Sequence, residues 1–281
     1  MSAARRTRLS RRAVLTLGAG LGAGLLAGCQ REPAPTGTGA QLLAGNPTVP
    51  DTDPVITRRD LSTGRAREVD VVVMRPSGVP AQPMPVCVTL HGGKYGNAKS
   101  MVSLGLQQAL TGLVKQTGVP FALAAVDGGN WVGDKDDDPQ RMLMDDLPGW
   151  LDRLDLATTP FAALGVGEGG TGALTLARTP GLSAVAAISP TLFDTYADAA
   201  KSGIYQTRQS WEQGEPLRHT PQYANLPVGV WCGTDDRDFL ATSREFAEKA
   251  RGKLTTGPGG HDDAYYRRVL PDALKFVAGY L

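Results

Sequence analysis

Short, nearly uninterrupted apolar runs recur along this chain, and each is followed by a segment whose apolar residues repeat at helical spacing. The runs at residues 69–74, 85–90, 121–126, 161–165, 182–188 and 228–232 consist mainly of Val, Ala, Leu and Ile. Strands covered on both faces have this composition, because neither face needs polar side chains. Between the runs, Leu104, Leu106, Leu110 and Leu113 space a helix over residues 100–115, and Met142, Leu147, Leu151 and Leu154 space another over 141–155. A small-residue helix runs through Ala177, another helix covers 239–250, and a short strand at 253–256 precedes a last helix from Asp263 onward. This alternation predicts an α/β fold with a mostly parallel, doubly wound sheet and helices on both faces. Residues 190–222 break the rhythm and are expected to form a short cap-like insertion over the C-terminal edge of the sheet, where such sheets bind ligands. Tyr196, Tyr205 and Trp211 in that stretch either line a pocket or pack the insertion. With no internal repeat visible, residues 65–281 are read as one domain.

The first residues point to export. Five arginines and no acid lie in residues 1–28, and the pair Arg11-Arg12 is followed by an apolar, glycine-rich run from Ala13 to Ala27. That is the arrangement of a twin-arginine signal peptide. The run has 15 residues, too few to span a bilayer, which takes about 20. Leu26-Ala27-Gly28-Cys29 at its end resembles the lipobox of bacterial lipoproteins, which makes Cys29 the expected lipid-bearing residue. The expected location is the outer face of the cytoplasmic membrane. Residues 29–64, rich in Pro, Gly, Thr and Asp, read as a flexible tether. The formal charge of +1 belongs to the leader: without its five arginines, 24 basic residues face 28 acidic ones, a net charge of −4. Nothing in that balance suits nucleic acid. Cys87 and Cys232 sit in different strand runs, so both are expected as buried free thiols even where a disulfide is permitted.

Three segments fall just past predicted strand ends. His91-Gly92-Gly93 follows Leu90, and its glycines let backbone N–H groups come close to an anion. Gly165-Val166-Gly167-Glu168-Gly169 lies between a strand and a helix and has the spacing of a nucleophile elbow, G-x-S-x-G, with glycine at the centre. It lacks the Gly-Lys-Ser/Thr of a nucleotide-binding loop, and it comes too late in the sheet for a dinucleotide fingerprint. Further on, Asp235, Asp236 and Asp238 offer an acid, with Asp236 foremost, and Gly259-Gly260-His261 offers a base. Elbow, acid, histidine is the α/β-hydrolase order. The run Asp134, Asp136, Asp137, Asp138 lacks the glycine and terminal glutamate of a calcium loop and reads as a solvated turn. No metal and no cofactor are expected.

Taken together, residues from about 68 onward resemble the actinobacterial esterases of the antigen-85 and S-formylglutathione hydrolase group, which have the α/β-hydrolase fold. The resemblance is carried by His91-Gly92-Gly93, Val126-Asp127-Gly128-Gly129-Asn130-Trp131, Met144-Asp145-Asp146-Leu147-Pro148 and Gly169-Gly170-Thr171-Gly172-Ala173-Leu174. Cys232-Gly233-Thr234-Asp235-Asp236 and Gly260-His261-Asp262-Asp263-Ala264, with Tyr266, Arg267 and Arg268, complete it. It implies Asp236 as acid, His261 as base, and oxyanion donors at the N–H groups of Gly92 or Gly93 and of Glu168. The family's serine falls on Gly167, and its usual Ser-Met is here Gly167-Glu168. The antigen-85 group includes members without the serine.

Glu168 is a poor substitute nucleophile. In an elbow the central side chain faces the substrate while the next residue offers its N–H, and a carboxylate beside that hole opposes the developing charge. Thr171, at the start of the helix, is expected to pack. The functional expectation is therefore a non-catalytic or severely impaired esterase-like lipoprotein of the cell envelope, binding a glycan, a lipid or a protein partner in the former cleft. The alternative is a serine-independent hydrolase or acyltransferase acting on ester substrates, with water activated by Asp236 and His261.

Overall fold

The computed structural model describes residues 54–93 and 96–281. The expected signal peptide at 1–28, Cys29 and the tether as far as residue 53 lie outside the described residues. Eight strands form one sheet: β1 (Val55–Ser62), β2 (Arg67–Met74), β3 (Val86–Leu90), β4 (Ala122–Val126), β5 (Ala162–Val166), β6 (Ala184–Ile188), β7 (Val228–Gly233) and β8 (Lys253–Gly257). Their order is β1-β2-β4-β3-β5-β6-β7-β8. The pairs β1/β2 and β2/β4 are antiparallel. All the others are parallel. The helices are α1 (Ala98–Ser103), α2 (Leu106–Thr117), α3 (Pro139–Arg141), α4 (Leu147–Asp152), α5 (Glu168–Leu176), α6 (Tyr196–Ser202), α7 (Arg208–Gly214), α8 (Leu240–Lys249) and α9 (Asp263–Ala278).

Strand side chains alternate between two cores, as the period of two requires. Val69, Val71, Val73, Val86 and Val88 face one core with Leu147 and Leu151 of α4, Leu174 of α5 and Phe246 of α8. Val72, Met74 and Cys87 face the other with Met101 of α1, Leu110 of α2 and Leu270 and Leu274 of α9. The doubly wound sheet read from the apolar runs is thus the observed one. Cys87 on β3 and Cys232 on β7 are buried free thiols, with β5 and β6 between their strands.

Three expectations need correction. The tether does not reach residue 64, because residues 55–62 are edge strand β1, paired with β2 from Val55–Met74 to Ser62–Arg67. Its middle residues Thr57, Arg58 and Arg59 are exposed, as an edge strand allows. That polar face made the segment look like linker. The helix expected over 100–115 is two helices, with Gly105 at φ +88° as their break. The helix expected over 141–155 ends at Asp152, and its first part is a π-helical turn, Met142–Asp146, leading into α4. Pro148 has no N–H to continue a regular ladder, and the N–H of Leu147 reaches back to the carbonyl of Met142.

Residues 190–222 hold α6, α7 and the start of a 3-10 segment, Pro216–Tyr223. Tyr205 and Trp211 are buried with Phe193 and Ala199. Trp211 Nε1 donates to the carbonyl of Phe193 at 3.3 Å, and Arg208 lies over the half-buried ring of Tyr196. These aromatics pack the insertion. Beneath them Glu215 is fully buried. Its carboxylate accepts from Phe193 N–H at 3.1 Å, Leu217 N–H at 3.3 Å and Tyr205 Oη at 3.4 Å. Burial pushes the carboxyl up to about 8, against the opposing pull of these hydrogen bonds and of Arg218.

Because the folded value lies above the unfolded one, the native state holds this proton longer than the unfolded chain does. Its stabilisation is complete below about pH 4.3 and is lost as pH rises through about 8. Thermal melts between pH 5 and 9 are therefore expected to show a falling midpoint for wild type and a flatter profile for Glu215→Gln. Parallel profiles would contradict the burial of this carboxyl.

Candidate active site

The chain turns from β5 into α5 through Gly167, at φ +56° and ψ −126°. A side chain is strained there by about 1–3 kcal/mol. The turn is held by Gly167 N–H on the carbonyl of Ile188 at 2.9 Å, and by Gly170 N–H on the carbonyl of Gly167 at 2.9 Å. The flanking glycines are needed for a different reason. A Cβ on Gly165 would overlap the carbonyl of Gly169, and one on Gly169 would overlap the carbonyls of Leu90 and His91. At Gly167 the space is open: a Cβ would lie 3.5 Å from Gly92 Cα, 3.5 Å from His261 Nε2 and 3.6 Å from Tyr266 Oη. Those are ordinary contacts.

Asp236 follows β7 and is 2% exposed. His261 Nδ1 lies 2.9 Å from Asp236 Oδ2. Asp236 Oδ1 accepts from Phe239 N–H at 3.2 Å, and Cys232 Sγ lies 3.6 Å from Oδ2. Burial alone would raise this carboxyl. The hydrogen bond and charge of His261, with the Phe239 N–H, outweigh it and hold the carboxyl below its ordinary value. Since a carboxylate only accepts, Nδ1 donates to it, and in the neutral tautomer that arrangement leaves Nε2 an acceptor toward the space above Gly167. The ring is flanked by Phe239 at 4.9 Å and Tyr266 at 5.8 Å between centroids. Of the other two acids considered, Asp235 accepts from Gly259 N–H at 3.1 Å, which fixes the loop ahead of His261, and Asp238 is exposed.

On the opposite side, His91 is buried and structural. Its Nε2 accepts from Gly128 N–H at 3.0 Å, and its carbonyl accepts from Trp131 Nε1 at 2.8 Å. Burial lowers the ring to about 4, so it is neutral at physiological pH. Trp131, at φ +63°, lies against Gly128 and Gly172, where a Cβ would overlap the indole. Asp127 ties the same region together by accepting from Ala98 N–H at 2.8 Å and Asp70 N–H at 3.0 Å.

One donor of the expected anion hole is already engaged. Gly93 N–H donates to Glu168 Oε2 at 2.5 Å. The Glu168 side chain, expected beside this hole, bends across the elbow onto Gly93 and lines the cleft. Gly92, Gly93, Glu168, His261 and Tyr266 border a cleft of about 680 Å³, with Lys99 and Leu104 on its far wall. Thr171 packs as expected, its hydroxyl on the carbonyl of Thr191 at 2.7 Å. In the acidic loop, Asp137 pairs with Arg65 and Arg67, Asp138 caps α3, and Asp134 accepts from the N–H groups of Asp136 and Asp137. Phe239 and Tyr266 complete the setting of His261. Tyr266 falls in the motif around His261, whereas nothing in the sequence marks Phe239.

Solved structures similar to this one include a ferulic acid esterase, with TM-score 0.68 and 19% identity over 81% of this chain and 98% of that one. MPT51 of Mycobacterium tuberculosis superposes with TM-score 0.66 and 20% identity over 82% of this chain and 100% of that one. An S-formylglutathione hydrolase of Staphylococcus aureus gives TM-score 0.63 and 12% identity over 79% and 98%. The fold is that of the α/β-hydrolases. At such identities the likeness is one of architecture. No protein-family model matches the chain, and no curated protein matches it by sequence.

The elbow geometry makes a contrast between neighbouring glycines. Gly165→Ala meets rigid backbone and is expected to cost about 3 kcal/mol or more. Gly167→Ala meets only open space and positive φ, and is expected to cost about 1–2 kcal/mol. Urea denaturation measures both, and equal losses would argue against the turn described.

Proposed function

We propose that this chain is an exported, lipid-anchored protein of esterase-like architecture that has lost covalent catalysis and binds a glycan, a lipid or a protein partner in the former substrate cleft. One observation carries the reading: where an elbow nucleophile belongs there is Gly167, and the carboxylate of its neighbour Glu168 holds the Gly93 N–H at 2.5 Å. Acyl transfer through an enzyme ester requires a nucleophile, a base and N–H donors free to meet the oxyanion. Of these, the pair Asp236–His261 is assembled. A donor held by a carboxylate cannot receive the substrate oxygen until that group leaves, and the group's charge opposes the one that develops. The intact pair favours a second reading, in which His261 takes a proton from water at the open position and an ester is cleaved without an acyl-enzyme.

A fluorophosphonate probe separates these readings from serine-type catalysis. Wild type is expected to remain unlabelled and to turn over p-nitrophenyl esters only slowly. Gly167→Ser should become labelled, and Gly167→Ser with Glu168→Met should label faster, because the Gly93 N–H is then free. Adding His261→Ala should abolish the gain. Stoichiometric labelling of a native residue in wild type, lost with His261→Ala, would overturn the non-catalytic reading. Ester turnover by unlabelled wild type that disappears with His261→Ala would favour the water mechanism.

The anchor rests on Leu26-Ala27-Gly28-Cys29 after the twin arginines, and it places the domain at the outer face of the cytoplasmic membrane. Full-length protein from a bacterial host with twin-arginine export is expected in the detergent phase, and Cys29→Ala in the aqueous phase. Equal partitioning of the two would remove the lipid from the proposal.

A further inference from the structure

The open space at Gly167 has its own chemistry. The point where a Cβ would stand lies 3.5 Å from His261 Nε2 and 3.6 Å from Tyr266 Oη, with Gly92 Cα as the third wall at 3.5 Å. Among the described residues, neither Nε2 nor Oη has a hydrogen-bond partner. With Nδ1 donating to Asp236, the neutral tautomer of His261 presents Nε2 as an acceptor. The Tyr266 hydroxyl can donate. The notch therefore offers a ring nitrogen and a phenolic hydroxyl to a single small group, and a group that both donates and accepts can satisfy the two together. A hydroxyl does this, while a carboxylate or phosphate oxygen cannot donate to Nε2.

The rest of the cleft points the same way. Glu168, Asp262 and Asp263 line it. Asp263 has Arg267 at 3.4 Å, and Lys99, the one cation among the described lining residues, has its ammonium 2.7 Å from Asp70. Among the described residues, Glu168 and Asp262 have no pairing cation, so the wall nearest the notch disfavours anions. The Gly93 N–H, one of the backbone donors bordering the cleft, is likewise spent on Glu168. The cleft holds about 680 Å³, room for a ligand of several rings or a headgroup with part of its chain.

We infer that the vacated nucleophile position is a hydroxyl-recognition site, in which a neutral polyhydroxyl ligand places one of its own hydroxyls where the serine oxygen would be, donating to His261 Nε2 and accepting from Tyr266 Oη. This rests on the reading of the cleft as a binding site. It narrows the ligand to a class, sugar or glycerol hydroxyls carried by a glycan or by a lipid headgroup, and it makes Tyr266 a specificity residue. It also gives the glycine a role: a side-chain hydroxyl at residue 167 would take the hydrogen bonds that the ligand's hydroxyl needs.

The test is a titration of the folded protein followed through the imidazole resonances of His261, using methyl α-glucoside as the glycan probe, 1-O-hexylglycerol as the lipid-headgroup probe and glucuronate as the anionic control. Saturable shifts of His261 are expected with one or both neutral probes, and which of them binds more tightly identifies the source. Gly167→Ser is expected to weaken binding by about 10-fold or more, and Tyr266→Phe, which keeps the ring and its packing, by roughly 3- to 10-fold. Unchanged affinity in both variants, glucuronate binding as tightly as the neutral probes, or no His261 shift with either neutral probe at its solubility limit would overturn the inference. Probe labelling of wild type by fluorophosphonate would sink the non-catalytic reading alone, so the two fail separately.

Discussion

The carbonyl oxygens of Leu90 and His91 stand where a side chain on Gly169 would have to go, and the carbonyl of Gly169 stands where one on Gly165 would go. This backbone-to-backbone contact presses the end of β3 against the first turn of α5, and the cleft is organised around it. It sets Gly92 Cα 3.5 Å from the Cβ position of residue 167, and it brings Gly93 N–H within reach of the first helical side chain, Glu168. A methyl group on Gly169 would push β3 away from α5, and one on Gly165 would push β5 away from α5. The positive φ at Gly167, whose N–H and C=O are both engaged, follows from making that turn in so little space.

On this frame the two sides of the cleft are electrostatically unlike. Asp236 is buried, and its partners hold it ionised, so it can orient His261 through Nδ1. Glu168 lies at the first turn of α5, where unpaired N–H groups and the helix dipole favour a negative charge. It adds a short hydrogen bond from Gly93 to that favourable position. The carboxylate thus satisfies one donor, the Gly93 N–H, that would otherwise face the cleft. An uncharged side chain at this position would bring no such charge to the Gly93 N–H.

The insertion contributes indirectly. Phe193, Tyr205 and Trp211 close a small core of their own. Phe239 packs against that core and also faces the His261 ring at 4.9 Å. The buried carboxyl of Glu215 ties the insertion's backbone together through Phe193 and Leu217. The rigidity of the histidine's surroundings therefore depends partly on residues that never touch the cleft.

Much of this was legible in the linear sequence. The apolar runs marked the strands from β2 to β7 because strands covered on both faces leave no place for polar residues. The glycines at 165, 167 and 169 marked the elbow because close backbone approach admits nothing larger, and the order of elbow, Asp236 and His261 marked the site. Edge strand β1 was not legible, since a strand with one open edge can carry Thr57, Arg58 and Arg59 and reads as linker. Nor was the break at Gly105 or the π turn before Pro148, where tertiary packing set the boundaries. What the sequence by itself determined was the architecture and the glycine at position 167 between β5 and α5, because both depend on local periodicity and residue identity. Only the tertiary structure decided that Glu168 turns back onto Gly93, 75 positions away in the chain, and that Tyr266 and His261 converge on the space above Gly167. Those are distances between side chains brought together by the packing of β3, α5 and α9, and no local pattern encodes them.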